Sequence, residues 1–529
     1  MRDPKANKKF KDPIKFTEIK NLDSKELGVI LTPQKTVDYI ISRVGPINKD
    51  HKILDPCVGP GIFIKRLLNL GIDKNQIFAF DINLEYKSLI ERLDISFTPQ
   101  DTLLSLFPDS YKEFDVIVGN PPYLNKASTY IRENKFKLKK IYGKINAHET
   151  YAMFIVNSIW RLKNGGKLGF VISDSFLTLN THTKLRKFIL NNCKINEILL
   201  TPENLFYDQN VNINAVILIL TKCSGKENKI QRNNNIMRII PRVKNEDEYQ
   251  NPKKIYNFKQ KRYQLLPFNL FFTDVEEEVI KLFEKSSRLE NYVKGYVGMH
   301  THNNLKYIAA VEGTELADIF RKRNAKIADP DKKYKIISKN NLRSEKWKLY
   351  LKRGGVDQYY RPIMEALNWD ERSIPIYDIP KNVPFESEGI VISGVSSRLA
   401  ARYMPKGCYW DSNKAIGFII IDESISIEYA IGLLNSSLYN YLAKGIINNT
   451  NSIQITGIHA LPFVTPDNKT KRKVEDLVKK IIENKKNSLK YTYSSEQKLI
   501  DKIIFNFYAK KFNFTEDLKK KLDEKYSIY

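Results

Sequence analysis

Cysteine is scarce: the chain of 529 residues holds four, Cys57, Cys193, Cys223 and Cys408, and no two form a CxxC pair. No disulfide framework is expected from that pattern. Histidine is scarce too, with six residues, so no metal site is expected. Long apolar runs are missing. The longest, from Val211 to Thr221, is broken by asparagines at its start and reads as a buried strand, which leaves no expected membrane span. The N-terminal MRDPKANKKFKDPIKF has charge but no apolar core, unlike a secretory signal, so the expected compartment is the cytoplasm. Acidic residues are also short, 60 against 87 Lys and Arg, for a net charge of +27. That surplus points to a polyanionic partner: DNA, RNA or an anionic membrane surface. Lysine enrichment in an AT-rich genome, alongside abundant Asn and Ile, gives the same number without a partner.

The chain is too long for one core, and two or three domains are expected. Residues 1–27 read as a polar arm. From 28 to 230, short apolar runs alternate with amphipathic stretches. The runs at 52–54, 77–80, 115–118, 167–172, 198–200 and 215–220 predict strands. The stretches 33–43, 62–70, 151–162 and 185–191 predict helices. Strands alternating with helices predict an α/β fold with a parallel, doubly wound sheet, to which 215–220 adds a late antiparallel strand. The polar segments 222–229 and 231–235 read as a linker or surface loop. Residues 231–467 lose the βα rhythm and predict an irregular α+β recognition domain. Within them, 321–360 hold 13 Lys and Arg against four Asp and Glu. Arg321, Lys322, Arg323, Arg343, Lys346, Lys348 and Arg353 are candidate phosphate contacts there. Tyr334, Trp347, Tyr350, Tyr359 and Tyr360 are interleaved as candidate stacking groups, although a solvated face has the same composition. Residues 468–529 predict a Lys-rich helical segment. No internal repeat is present.

Four motifs carry chemistry. Asp55-Pro56-Cys57-Val58-Gly59-Pro60-Gly61 runs from a strand into a helix, with glycines that let backbone approach a ligand. It lacks the third glycine of a dinucleotide fingerprint and the Lys-Ser/Thr of a phosphate loop. Asp81 ends the next strand, 20 positions after Gly61, where a carboxylate can accept ribose hydroxyls. Asp101 can accept from an adenine amino group or cap a helix. The specific motif is Asn120-Pro121-Pro122-Tyr123 after an apolar strand. Two prolines make a rigid loop. If the Asn120 side-chain oxygen and the Pro121 carbonyl accept the hydrogens of a planar amino or amide nitrogen, its lone pair is freed toward an electrophile. Tyr123 is placed to stack on the ring that bears it.

These parts, in this order, resemble the TaqI-type, gamma-class adenine-N6 DNA methyltransferases of restriction-modification systems. Gly28-Val29-Ile30-Leu31-Thr32-Pro33 resembles that family's first cofactor motif. Glu149–Phe154 and Gly165–Ile172 resemble the helix and strand that follow the catalytic loop. Asn204-Leu205-Phe206 resembles the segment whose aromatic residue packs on the flipped base, with Tyr207 beside it. Ile431–Ser437 and Leu461-Pro462-Phe463 resemble parts of a target-recognition domain. The resemblance implies a Rossmann-like methyltransferase domain at 28–230. It implies S-adenosylmethionine as methyl donor, held by Thr32, Asp55, Cys57, Gly59, Gly61, Asp81, Asp101, Thr102 and Asn120. It implies Asn120, Pro121, Pro122 and Tyr123 as the catalytic loop, direct in-line transfer, and an adenine flipped from double-stranded DNA between Tyr123 and Phe206. A monomer is expected. A cognate endonuclease is expected to be encoded separately, because only 27 residues precede Gly28. RNA adenine methylation, protein-glutamine methylation and a non-catalytic DNA-binding relative stay as alternatives.

Overall fold

In the computed structural model, which describes residues 30–105, 114–203, 205–209, 213–342, 344–448 and 450–528, the apolar runs of the first half of the chain form one nine-stranded sheet. The expected arm at 1–27, Gly28, Val29, Asn204 and Arg343 lie outside the described residues. The strands are β1 (Ile53–Asp55), β2 (Ile77–Asp81), β3 (Ser96–Pro99), β4 (Phe114–Gly119), β5 (Leu162–Ser173), β6 (Cys193–Leu200), β7 (Ala215–Lys222), β8 (Ile236–Ile240) and β9 (Tyr256–Lys259). Their order is β3-β2-β1-β4-β5-β7-β6-β8-β9. The first five are parallel. β7 runs antiparallel between β5 and β6, as the sequence predicts. β3 was not foreseen: it is a short edge strand ending in Pro99, with no fully buried residue, and proline at a sheet edge masks a strand pattern.

The helices of this unit are α1 (Gln34–Val44), α2 (Ile62–Asn69), α3 (Lys87–Glu91), α4 (Thr129–Glu133), α5 (Lys135–Tyr142), α6 (Thr150–Arg161), α7 (Thr183–Asn192) and α8 (Lys229–Asn234). α1 and α2 lay Val37, Ile40, Val44, Phe63, Ile64 and Leu67 against Ile53, Val116, Val118, Ile217 and Ile219. Each such side chain, fully buried, contributes roughly 1.5–3 kcal/mol. α6 is buried along its length except at Trp160. Helix cover explains why Ala215–Leu220 is apolar at every position and not at alternate ones. The division expected after residue 230 falls instead between Asp274 and Val275. The polar segment at 222–235 is a surface connection, after which β8 and β9 extend the same sheet.

The second unit, Val275–Tyr529, is mixed α and β. A four-stranded antiparallel sheet takes the order Val293–Tyr296, Ala415–Ile420, Gly389–Ser393, Ala401–Met404. A five-stranded mixed sheet has Trp347–Leu351 in its interior, between Glu365–Asn368 and Cys408–Trp410. The C-terminal helices Asn468–Asn487 and Ser494–Phe512 belong to this unit: Gly432 of helix Ile427–Asn435 sits so near Val474 that a Cβ would lie 2.5 Å from its Cγ1. Asn435 clamps Ala401, accepting from its N–H and donating to its carbonyl at 2.9 Å each. The Ile431–Ser437 segment is therefore scaffold.

Candidate active site

Four adjacent strands end on one side of the sheet. β1 ends at Asp55 and β2 at Asp81, β3 leads to Asp101, and β4 delivers Asn120. The chain order reverses between β1 and β4, the switch point at which open α/β sheets form ligand crevices. A cleft of about 870 Å³ opens there. Among the expected residues it is lined by Thr32, Asp55, Cys57, Gly59, Asp81, Asp101, Thr102, Asn120 and Pro122. Gly61 lies just outside the lining and starts α2 with φ +83°.

The cleft is acidic although the chain is basic. Its described lining contains three aspartates and no Lys, Arg or His. Burial, with the neighbouring Asp81 carboxylate, pushes the Asp55 carboxyl up to about 8, against a backbone N–H bond from Cys57. Burial also raises Asp81, which accepts from the backbone N–H of Gly59 and Asn83 at 2.8 Å each. Asp101 is raised by burial too and accepts the Tyr130 hydroxyl at 2.9 Å. The Cys57 thiol is pushed up by burial and by both Asp55 and Asp81, so it is an inert wall. Gly119 leaves room for Asp55, whose Oδ1 would lie 3.0 Å from an added Cβ. Buried carboxyls without a cation favour a positively charged ligand, and acceptors at the ends of β2 and β3 suit the hydroxyls and amino group of a nucleoside. The Thr102 hydroxyl is already used, donating to the Pro56 carbonyl at 2.6 Å.

Asn120 is half committed. Its Nδ2 donates to the Ile30 carbonyl at 2.8 Å. A carbonyl only accepts, so this bond fixes which way the amide faces. Its Oδ1 is buried and has no partner. An orphaned buried acceptor costs about 1–3 kcal/mol, which a donor entering the cleft at Asn120 would offset. The loop behind it is pinned as well as stiff. Thr150 of α6 donates its hydroxyl to the Pro122 carbonyl and accepts the Leu124 N–H at 2.9 Å. Tyr123 donates to the Val171 carbonyl at 3.2 Å.

Pro121, Tyr123 and Phe206 are not in the cleft lining. Phe206 is 1% exposed and packs in the core, while Tyr207 is 75% exposed. Tyr123 and Phe206 meet edge to face, centroids 6.2 Å apart at 63°, so no slot for a base lies between them. The expected phosphate and stacking groups of 321–360 are largely occupied. Trp347, Tyr350 and Tyr359 are core residues, and Tyr334 packs on Phe320. Arg321 pairs with Glu312 and Asp318, Arg353 with the buried Glu365, and Lys348 lies 3.9 Å from Glu386. Arg323 sits over the Tyr334 ring, whereas Lys322 and Lys346 are exposed. Tyr130 and Gln209 lie outside the motifs, and Ile30 and Thr150 lie within quoted segments without having been given a role; the Gln209 amide grips both backbone groups of Leu31 at 2.7 and 2.8 Å. Their roles depend on contacts across the fold, which local spacing does not report. His300, His302 and Asp378 converge on the second unit as one exposed group with metal-ligand atoms, a grouping that spacing along the chain did not predict.

Residues 16–293 match the family model described as N-6 DNA Methylase. Type II methyltransferase M.HincII of Haemophilus influenzae is 28% identical over 205 residues, 38% of this chain and 38% of that protein. Type II restriction enzyme and methyltransferase RM.Eco57I of Escherichia coli is 30% identical over 166 residues, 29% of this chain and 16% of that protein. The chain thus spans under two fifths of the length of these curated relatives. Among solved structures, the type IIL restriction-modification enzyme MmeI in complex with DNA aligns with a TM-score of 0.54 at 13% identity, covering 93% of this chain and 75% of that one. That likeness is one of fold.

Proposed function

The chain belongs to the N-6 DNA methylase family, and from that premise we propose that it methylates the N6 amino group of adenine in double-stranded DNA, using S-adenosylmethionine, within a restriction-modification system. The observation that carries this reading is the orphaned Asn120 Oδ1, buried at the cleft with its amide nitrogen already spent on Ile30. An exocyclic amino group is the donor it lacks. With one hydrogen on Oδ1 and the other on the Pro121 carbonyl, the nitrogen is drawn toward a tetrahedral shape and its lone pair turns to the cleft. The prolines and Thr150 hold those acceptors still, so little reorganisation remains for the reaction itself.

The cleft suits the methyl donor: it holds three buried carboxyls and no basic side chain, and a bound cation favours the ionised form that burial alone disfavours. When bound, S-adenosylmethionine supplies an activated methyl group on its sulfonium. Asp81 is positioned to take ribose hydroxyls, and Asp101 to exchange the Tyr130 hydroxyl for an adenine amino group. Tyr123 offers a ring face fixed by its hydroxyl bond. Stacking between Tyr123 and Phe206 requires their edge-to-face contact to open when a base enters. We place the enzyme in the cytoplasm as a monomer, with a restriction endonuclease as its counterpart. No helix among the described residues is long and apolar enough to cross a membrane.

Transfer of labelled methyl to unmethylated plasmid DNA, to RNA of the same sequence and to glutamine-containing peptides tests this reading. Label in duplex DNA at N6 of adenine is expected. Label confined to RNA or to peptide contradicts it.

A further inference from the structure

The segment between the Asn-Pro-Pro-Tyr loop and α6 has two unlike sides. Residues 126–144 hold seven Lys and Arg against one acid, Glu133. The inner side is anchored at the cleft. Ile131, Leu138 and Tyr142 are buried, Tyr142 donates to the Leu103 carbonyl at 2.9 Å, and Tyr130 reaches Asp101. The outer side carries Lys126, Arg132, Lys135, Lys137, Lys139 and Lys144, all exposed. Among the described residues no carboxylate forms an ion pair with any of these six, in contrast to Arg321 and Arg353 of the second unit. In their midst Phe136 is 87% exposed, more than any other large apolar side chain described.

We propose that α4 and α5 form a clamp on the DNA backbone at the mouth of the cleft, in which the lysines take phosphates and Phe136 packs against the bases or sugars of the strand that yields the adenine. The inference rests on the function proposed above. Charge complementarity selects the partner: a row of unpaired cations matches a phosphate backbone. An apolar ring among cations is the arrangement that distorts or wedges a strand. Asn120 lies only a few residues before Lys126, so the phosphates flanking a flipped adenine come within reach of this face.

The test is the salt dependence of binding to a mixed-sequence 30-base-pair duplex, compared for wild type and K135Q/K139Q/K144Q. Lys137 is left intact because its charge reaches Asp101. Each lost phosphate contact lowers the log–log slope by about 0.9, so the triple variant is expected to lose about 2–3 in slope. Its thermal midpoint and S-adenosylmethionine binding should stay at wild-type values. F136A is expected to lower kcat/KM on unmethylated plasmid DNA roughly tenfold with the salt slope intact. If the triple variant misfolds, K139Q alone, with an expected loss of about 1 in slope, decides. A variant that keeps the wild-type slope, while the wild type methylates DNA, overturns the clamp and leaves the enzyme reading standing. A wild type that neither binds nor methylates DNA overturns both.

Discussion

Asn120 and Thr150 divide one task. Asn120 presents an acceptor, and Thr150 stops the loop that carries it from moving. Thr150→Val keeps the shape and removes both bonds. Stopped-flow or steady-state kinetics should show kcat falling roughly 100-fold, the penalty of a misplacement near 1 Å, with Thr150→Ser recovering most of it. A second residue-scale prediction concerns Asp55. Its folded carboxyl titrates at about 8, against about 3.9 in an unfolded chain. The folded state therefore holds more protons between those values, and stability falls as pH rises from about 4 to about 8. Asp55→Asn keeps an oxygen for the Cys57 N–H and cannot ionise. Denaturant midpoints measured without ligand at pH 5 and pH 8 should differ less in the variant than in wild type.

At the scale of elements, the glycine loop shows how backbone sets the site. Gly61 opens α2 at φ +83°, and an added Cβ would lie 2.6 Å from Ile90 Cδ1. Gly61→Ala should cost roughly 1–2 kcal/mol from the left-handed backbone alone, read as a lower urea midpoint with an unchanged slope. The strands that flank the cleft were legible because each is an apolar run bounded by turn residues: β1, β2 and β4 fall within one residue of their predicted limits. The cleft positions of Asp55, Asp81 and Asn120 were legible for the same reason, since each stands at or just beyond one of those strand ends, whereas Asp101 follows β3, whose strand pattern was masked. Elements whose pattern is set from outside were not. β8 and β9 are short and sit at the far edge of the sheet, where the sequence looks like the start of another domain. Trp347 and Tyr350 mimic a stacking surface because Lys346, Lys348 and Lys352 are interleaved with them. In the fold they belong to an interior strand. Nothing local distinguishes an aromatic residue that meets a base from one that meets a neighbouring strand.

Over the whole molecule, charge is partitioned. The chain carries +27, yet the described lining of its cleft holds only acidic ionisable side chains of the Asp type beside Cys57 and Tyr130. The proposed ligands follow that division, a polyanion at the surface and a cation in the cleft. Two ligands of opposite sign can thus meet at Asn120 without competing for the same groups, which is what a transfer between a sulfonium and a nucleic acid requires. The charge alone did not locate the polyanion. The basic stretch at 321–360 spends Arg321 and Arg353 on internal carboxylates, so overall surplus and local availability are different quantities. Modified-base mapping of DNA from cells expressing wild type or Asn120→Ala, with S-adenosylmethionine and duplex binding measured on the purified proteins, decides whether transfer occurs at Asn120. N6-methyladenine is expected at a defined sequence with wild type, and none with a variant that still binds both ligands. Near-normal N6-methyladenine from Asn120→Ala would contradict transfer at Asn120.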